Sequence, residues 1–289
     1  MKKVVIIVSS VLLITACNKV KDENLVNNTE TLSTQNQSVE RIVSLNGTLT
    51  EIVSALGHQN EIVGVDITST YPTEIANTTE NLDHVFKLSV EKLINLKPTK
   101  VVALENELKP EIVTQLTQAG INVITFKQTY TPEGTKQLIA DVAQKLENNN
   151  IEAIQSKIDN EIATISPLHT APKVLFIYAR ANQMMVGGTG TPIEAMIKLA
   201  GGVNAVTEFS EYKPLTPEAL IKANPDYILL FDKGLQSIGG VDGLLKVDGI
   251  SKTNAGKNKK IISMDGLLLS GFGPRLGEAV KILNSELQK

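Results

Sequence analysis

The sequence predicts an α/β fold of two Rossmann-like lobes joined by a single rigid α-helix, with a ligand cleft between the lobes. Three observations carry this expectation. Short β-branched runs alternate with segments of helical period, which is the pattern of parallel α/β units. The pattern of one half returns in the other in the same order. A stretch of helical period separates the halves.

Candidate strands in the first half are Arg41–Leu45, Ile62–Val65, Lys100–Leu104 and Val123–Phe126. In the second half they are Val174–Tyr178, Tyr227–Phe231 and Ile261–Met264. Between them Leu49–Leu56, Glu91–Leu96 and Ile193–Leu199 carry apolar residues at helical spacing.

The internal repeat is L-[ST]-x-E-x-L-I-x-x-x-P-x-x-[VI]. It runs from Leu88 through Glu91, Leu93, Ile94 and Pro98 to Val101, and again from Leu215 through Glu218, Leu220, Ile221 and Pro225 to Ile228. A second pair is Thr48-x-x-Glu51 and Thr191-x-x-Glu194, each before an apolar run that ends near a glycine, Gly57 or Gly201. Both read as capping boxes, in which Thr and Glu side chains satisfy unpaired amides at a helix start. Pro192 at the first helical position agrees. Helix starts of this kind also suit carboxylates.

Leu138, Ile139, Val142, Ala143 and Leu146 form one helical stripe, which Asn148–Asn150 interrupt. Ile151, Ile154, Ile158, Ile162 and Ile165 then recur at spacings of three and four, with polar residues elsewhere. A helix of this kind between two lobes makes a stiff hinge, and the cleft between lobes is the expected ligand site.

The N-terminus points to export. Lys2 and Lys3 precede an apolar run from Val4 to Ile14, too short for the roughly 20 residues of a membrane span. The run ends Leu13-Ile14-Thr15-Ala16-Cys17, which resembles the lipobox of bacterial lipoproteins, so Cys17 is the expected site of lipidation. Cys17 is the only cysteine, which excludes an intramolecular disulfide. Residues 18–39 are rich in Asn, Thr, Gln and Ser and read as a disordered tether. The expected organisation is thus signal peptide and lipobox 1–17, tether 18–39, N-terminal lobe 40–134, connecting helices 135–168 and C-terminal lobe 169–289.

The composition is 42% hydrophobic and 20% charged with a formal net charge of -3, which argues against nucleic acid as a partner. No nucleophile elbow, paired histidines or zinc-spaced cluster stands in the sequence, so an enzyme is not expected and no catalytic cofactor is implied.

Several stretches resemble the haem-binding members of the helix-linked periplasmic binding proteins. They are Val65-Asp66-Ile67-Thr68-Ser69-Thr70-Tyr71-Pro72, Val186-Gly187-Gly188-Thr189-Gly190-Thr191, the segment from Tyr212 to Ile221, Met264-Asp265-Gly266-Leu267-Leu268-Leu269 and Gly271-Phe272-Gly273-Pro274-Arg275. The resemblance runs from Arg41 to about Leu287. It implies an extracytoplasmic, lipid-anchored receptor that captures haem and delivers it to an ABC permease dimer with its ATPase subunits. Cobalamin or a ferric siderophore is the alternative cargo of the same importer class.

In that family the Val65–Pro72 loop supplies a tyrosine to haem iron, which implies Tyr71 as axial ligand. Phenolate is a known haem ligand, and Pro72 favours an extended Tyr71. Tyr178, Arg180 and Met184 follow the first strand of the second lobe, at the end where α/β clefts take ligands. Arg180 suits a propionate and Met184 a porphyrin face. Arg275 is a second candidate for a propionate, and His84 for a second ligand. His58 and His169 lie in polar contexts and are expected to be solvated. The resemblance further implies that Glu91 and Glu218, one per lobe, dock onto arginines of the two permease subunits.

Overall fold

The structure, a computed structural model, describes residues 40–180 and 183–289; the expected leader, Cys17 and the tether lie outside the described residues. The first lobe holds β1 (Ile42–Ser44), β2 (Ile62–Val65), β3 (Glu80–Asn81), β4 (Lys100–Leu104) and β5 (Asn122–Phe126), with α1 (Gly47–Val53), α2 (Thr73–Thr78), α3 (Val90–Asn95), α4 (Pro110–Gln118) and α5 (Pro132–Lys145). The strand order is β3-β2-β1-β4-β5 and every neighbour is parallel.

After α6 (Glu152–Ala163) the second lobe holds β6 (Lys173–Arg180), β7 (Gln183–Gly187), β8 (Val203–Asn204), β9 (Tyr212–Pro214), β10 (Tyr227–Phe231) and β11 (Ile261–Met264). Its helices are α7 (Pro192–Leu199), α8 (Pro217–Ala223), α9 (Asp232–Ser237), α10 (Gly240–Leu245), α11 (Asn254–Asn258), α12 (Gly266–Ser270) and α13 (Leu276–Leu287). The order is β11-β10-β6-β7-β9, with β8 also on β6. Strands β8, β6, β10 and β11 are parallel to their neighbours in that block, whereas β7 is antiparallel to both β6 and β9. The sheet is therefore mixed, which the parallel reading of the sequence did not anticipate.

Each sheet is covered on both faces, as parallel strands require. One apolar cluster fills the outer face of the first sheet, from Val43 to Ile121, and another the outer face of the second, from Leu175 to Ala255. A third runs without a break from Leu49 and Ile52 through Leu138, Ile139 and Ile158 to Phe272, Leu276 and Leu283. It is shared by both lobes.

The expected connector 135–168 divides into two helices with different allegiances. Helix α5 packs on α1 and β5 of the first lobe, while α6 lies along α13 of the second. A single helix, α6, therefore crosses between the lobes. Its approach to α13 is set by Gly277, where an added Cβ would strike Glu161 Cβ and press on the Ile158 carbonyl.

The repeat is structural as well as sequential. Ser89 and Thr216 are the N-caps of α3 and α8, accepting from the N–H groups of Lys92 and Ala219. Leu93 and Leu220 are both buried, and Lys97 and Asn224 both take left-handed φ immediately before buried Pro98 and Pro225.

The second pair is not equivalent. Thr191 caps α7 as expected, receiving the Glu194 N–H, and Glu194 Oε2 reaches back to the Gly190 N–H. The matching expectation for Thr48 and Glu51 fails. Asn46 caps α1 instead, its side chain accepting from Thr48 and Leu49 N–H, and this frees Thr48 and Glu51 to face the other lobe.

Candidate functional site

The carboxyl ends of the strands meet in a cleft between the lobes, where open α/β sheets take ligands. Its cavity is about 530 Å³, within the range of small-molecule and cofactor sites. From the first lobe come Asn46–Thr48 after β1, Thr68 and Thr70 after β2, Glu107 after β4, and Gln128 and Tyr130 after β5. From the second come Tyr178, Ala179 and Arg180 at the end of β6, Phe231–Gly234 after β10, and Asp265–Leu267 after β11.

The second-lobe wall carries both signs, Asp232 and Asp265 as well as Arg180 and Lys233, and the first-lobe wall carries Glu107. Arg180 and Lys233 are exposed on the second-lobe side, and neither has an ion-pair partner among the described residues. On the first-lobe side Asn46 Nδ2 donates to Glu107 Oε1 at 3.2 Å. Burial holds the Glu107 carboxyl above the usual carboxylate range, and nearby Asp66 pushes the same way against the Asn46 hydrogen bond. Asp66 is itself buried and fully used. It accepts from Thr68 N–H, Thr68 Oγ1 (2.6 Å) and Ser69 Oγ (2.7 Å), which pins the loop that leads to Tyr71. Thr68 Oγ1 in turn receives the Gly47 N–H, and the two chains approach so closely that a Cβ on Gly47 would collide with the Thr68 carbonyl.

Aromatic rings supply the apolar surface. Phe231 meets Tyr178 edge-on with centroids 6.1 Å apart, and Tyr130 meets Phe272 at 5.4 Å. Burial raises the Tyr130 phenol above its ordinary value, with Glu107 and Glu211 adding to the shift. Burial, with Glu211, pushes Tyr212 up to about 12. Tyr227 is buried and donates to the Leu287 carbonyl. Of the five tyrosines, Tyr130 and Tyr178 line the cleft.

Of the sequence-predicted residues, Tyr178 and Arg180 line the cleft. Tyr71 does not. Its Tyr71–Pro72 bond is cis, and its ring borders a second groove between α1, α6 and residues 274–275. There the Arg275 guanidinium lies 3.8 Å above the ring centroid. Arg275 is not free for a propionate, because its Nε and Nη2 bind Glu51 at 3.1 and 2.9 Å and its own N–H binds Glu51 Oε1. Burial raises the Glu51 carboxyl, opposed by those Arg275 donors, and the pairing raises Arg275 against its own burial.

Met184 stands opposite Ala179 on the antiparallel β7 and packs, partly buried, against the second-lobe core; it is not among the residues that line the cleft cavity. His84 lies outside the cleft too, stacked on exposed Phe86 with centroids 4.9 Å apart. His58 bonds Glu61 at 2.9 Å and is less solvated than expected, whereas His169 is exposed. Glu107, Tyr130 and Lys233 were not singled out in the sequence. Each follows a parallel strand directly, and that position was the available signal.

A fold of two α/β lobes around one interlobe cleft, bridged by a helix, defines a solute-binding protein. The chain belongs to the periplasmic binding protein family, whose pattern matches residues 42–267. Among solved structures it is similar to the periplasmic haem-binding protein RhuT from Roseiflexus sp. RS-1 in its apo form, with 40% identity and a TM-score of 0.81 over 86% of this chain and 98% of that one. Among sequence relatives, an uncharacterised ABC transporter substrate-binding lipoprotein of Bacillus subtilis, YvrC, is 31% identical over 84% of this chain and 78% of its own. A cobalamin-binding protein of Halobacterium salinarum is 27% identical over 69% of this chain and 56% of its own length.

Proposed function

We propose that this protein is a lipid-anchored, extracytoplasmic receptor that captures haem and hands it to an ABC importer. The observation that carries the reading is the second-lobe wall of the cleft, where Tyr178 stands beside two unpaired cations, Arg180 and Lys233. A phenolate suits ferric iron, and a pair of cations suits the two carboxylates of haem. Phe231 and Tyr130 offer ring surface to the porphyrin. The similarity to a haem-binding structure at 40% identity supports haem over cobalamin, whose binder matches at 27%.

In this arrangement Tyr178 is the iron donor. The loop resemblance favours Tyr71 instead, and the cation stacked on its ring supports that second reading. Cys17 is the proposed acylation site and residues 18–39 the proposed tether, placing the body at the outer face of the cytoplasmic membrane or in the periplasm. Glu91 and Glu218, exposed on α3 and α8, are proposed to meet the permease.

The test is an absorbance titration with ferric haem, with cobalamin run in parallel. The wild type is expected to give a high-spin spectrum with a phenolate charge-transfer band. Tyr178→Phe abolishes that band if Tyr178 is the ligand, and Tyr71→Phe does so on the second reading. Cobalamin binding without any haem signal would overturn the haem assignment.

A further inference from the structure

The internal repeat has a position where the two halves differ in bulk. Leu96 in the first half corresponds to Ala223 in the second, two residues before the matched Pro98 and Pro225. Leu96 packs on the outer core of its lobe, so tightly onto β2 that a Cβ on Gly64 would come within 2.6 Å of its Cδ1. Ala223 packs on the outer core of the second lobe with a lone methyl.

A cavity of about 200 Å³ lies there, between α8 and the sheet. Leu175 of β6 and Val186 of β7 line it from the sheet, and Val206 and Phe209 from the segment after β8. Ala219 and Ala223 line it from one face of α8, four residues apart. It shares no lining residue with the cleft.

Charge stands where the cavity meets water. Glu208 and Lys222 belong to its lining and pair with each other at 3.1 Å, with side chains 58% and 75% exposed. Lys213 lies 4.8 Å over the Phe209 ring that walls the cavity. An exposed ion pair contributes little, so a ligand carboxylate can take the place of Glu208 on Lys222. An apolar cavity of about 150 Å³ stays dry and accepts benzene, and by proportion this one holds roughly eight carbons.

We propose that this cavity is a second ligand site, which takes up the chain of an unbranched aliphatic carboxylate of about eight carbons and sets its head against Lys222. Two cations, Lys222 and Lys213, against the one acid Glu208 favour an anionic head over a neutral or cationic one. Haem capture in the cleft does not depend on it.

The experiment titrates the chain from Cys17 to Lys289, prepared without acylation, with hexanoate, heptanoate and octanoate by calorimetry. Affinity is expected to rise about fourfold per added methylene. Lys222→Gln is expected to weaken octanoate about threefold and to leave the binding of octan-1-ol unchanged. Ala223→Leu, which copies the first lobe, should abolish octanoate binding and raise the melting temperature by about 2–4 °C, with the haem titration unaltered. Methyl NMR of the wild type locates the site without relying on that variant: octanoate should shift Val186, Val206, Ala219 and Ala223. Absence of heat and shifts in the wild type overturns the proposal. So do equal affinities along the chain-length series, shifts confined to the cleft methyls of Leu104 and Ala179, or octanoate binding that survives in a folded Ala223→Leu variant.

Discussion

Glu107 places an acid in the first-lobe wall of a cleft whose other wall carries Arg180 and Lys233. Its carboxyl group is raised by burial, with Asp66 adding to the shift, and Asn46 gives only partial compensation. An acid whose pKa is raised on folding holds its proton more tightly in the native state. The stability this contributes is fully present below the unfolded value, about 4.3, and is lost as pH rises through the folded value. Glutamine at this position is neutral at every pH and still accepts from Asn46. Glu107→Gln is therefore expected to melt about 1–3 °C above the wild type at neutral pH, with the difference vanishing towards pH 4. Thermal melts across that range check it, and a difference that persists at pH 4 would place the effect in packing instead of charge.

At the scale of elements, much of the fold was legible, and the failures share causes. The β-branched runs became strands with nearly the expected bounds, because such residues fit a sheet buried on both faces. Strand β3 is only Glu80–Asn81 and has no apolar pattern to reveal it, and β9 contains Pro214. Strand β7, Gln183–Gly187, opens on Gln and two methionines and shows no β-branched run to mark it as a strand. The site was legible where a strand was long enough to show its end, as at Tyr178 and Arg180. The partners of Tyr71 and Arg275 depend on lobe packing that no local pattern encodes. Thr48 and Thr191 show the same limit: equal spacing to a glutamate, different work. Thr191 is a cap, whereas Thr48 Oγ1 donates at 2.7 Å to the Gly271 carbonyl of the other lobe. Thr191→Val is expected to cost about 1 kcal/mol through the lost cap, and Thr191→Ser to restore most of it, measured by urea denaturation. An equal loss in both variants would mean that the hydroxyl does not support α7.

The molecule as a whole is held at more than the connecting helix. The Gly271 carbonyl receives both Thr48 Oγ1 and Gln128 Nε2, the latter at 2.6 Å. Four residues on, Arg275 grips buried Glu51 with side-chain and backbone donors. A continuous apolar cluster runs beneath these bonds from Leu49 through Ile158 to Phe272. Opening the lobes about α6 would break all of them together and leave the Glu51 charge without its partner in a buried place, a loss of about 3–5 kcal/mol for that pair alone. Thr48 and Gln128, which line the cleft, are already committed to Gly271. The lobes are therefore expected to stay at a fixed angle during loading, with side chains and the cleft loops making the adjustment. Small-angle scattering of the apo and haem-loaded protein checks this. The two radii of gyration should agree within about 0.5 Å, as for other pre-organised partners whose backbone moves little on binding. A contraction well beyond that on haem addition would mean that the Gly271 and Arg275 contacts yield to the ligand, and that the cleft works by closing.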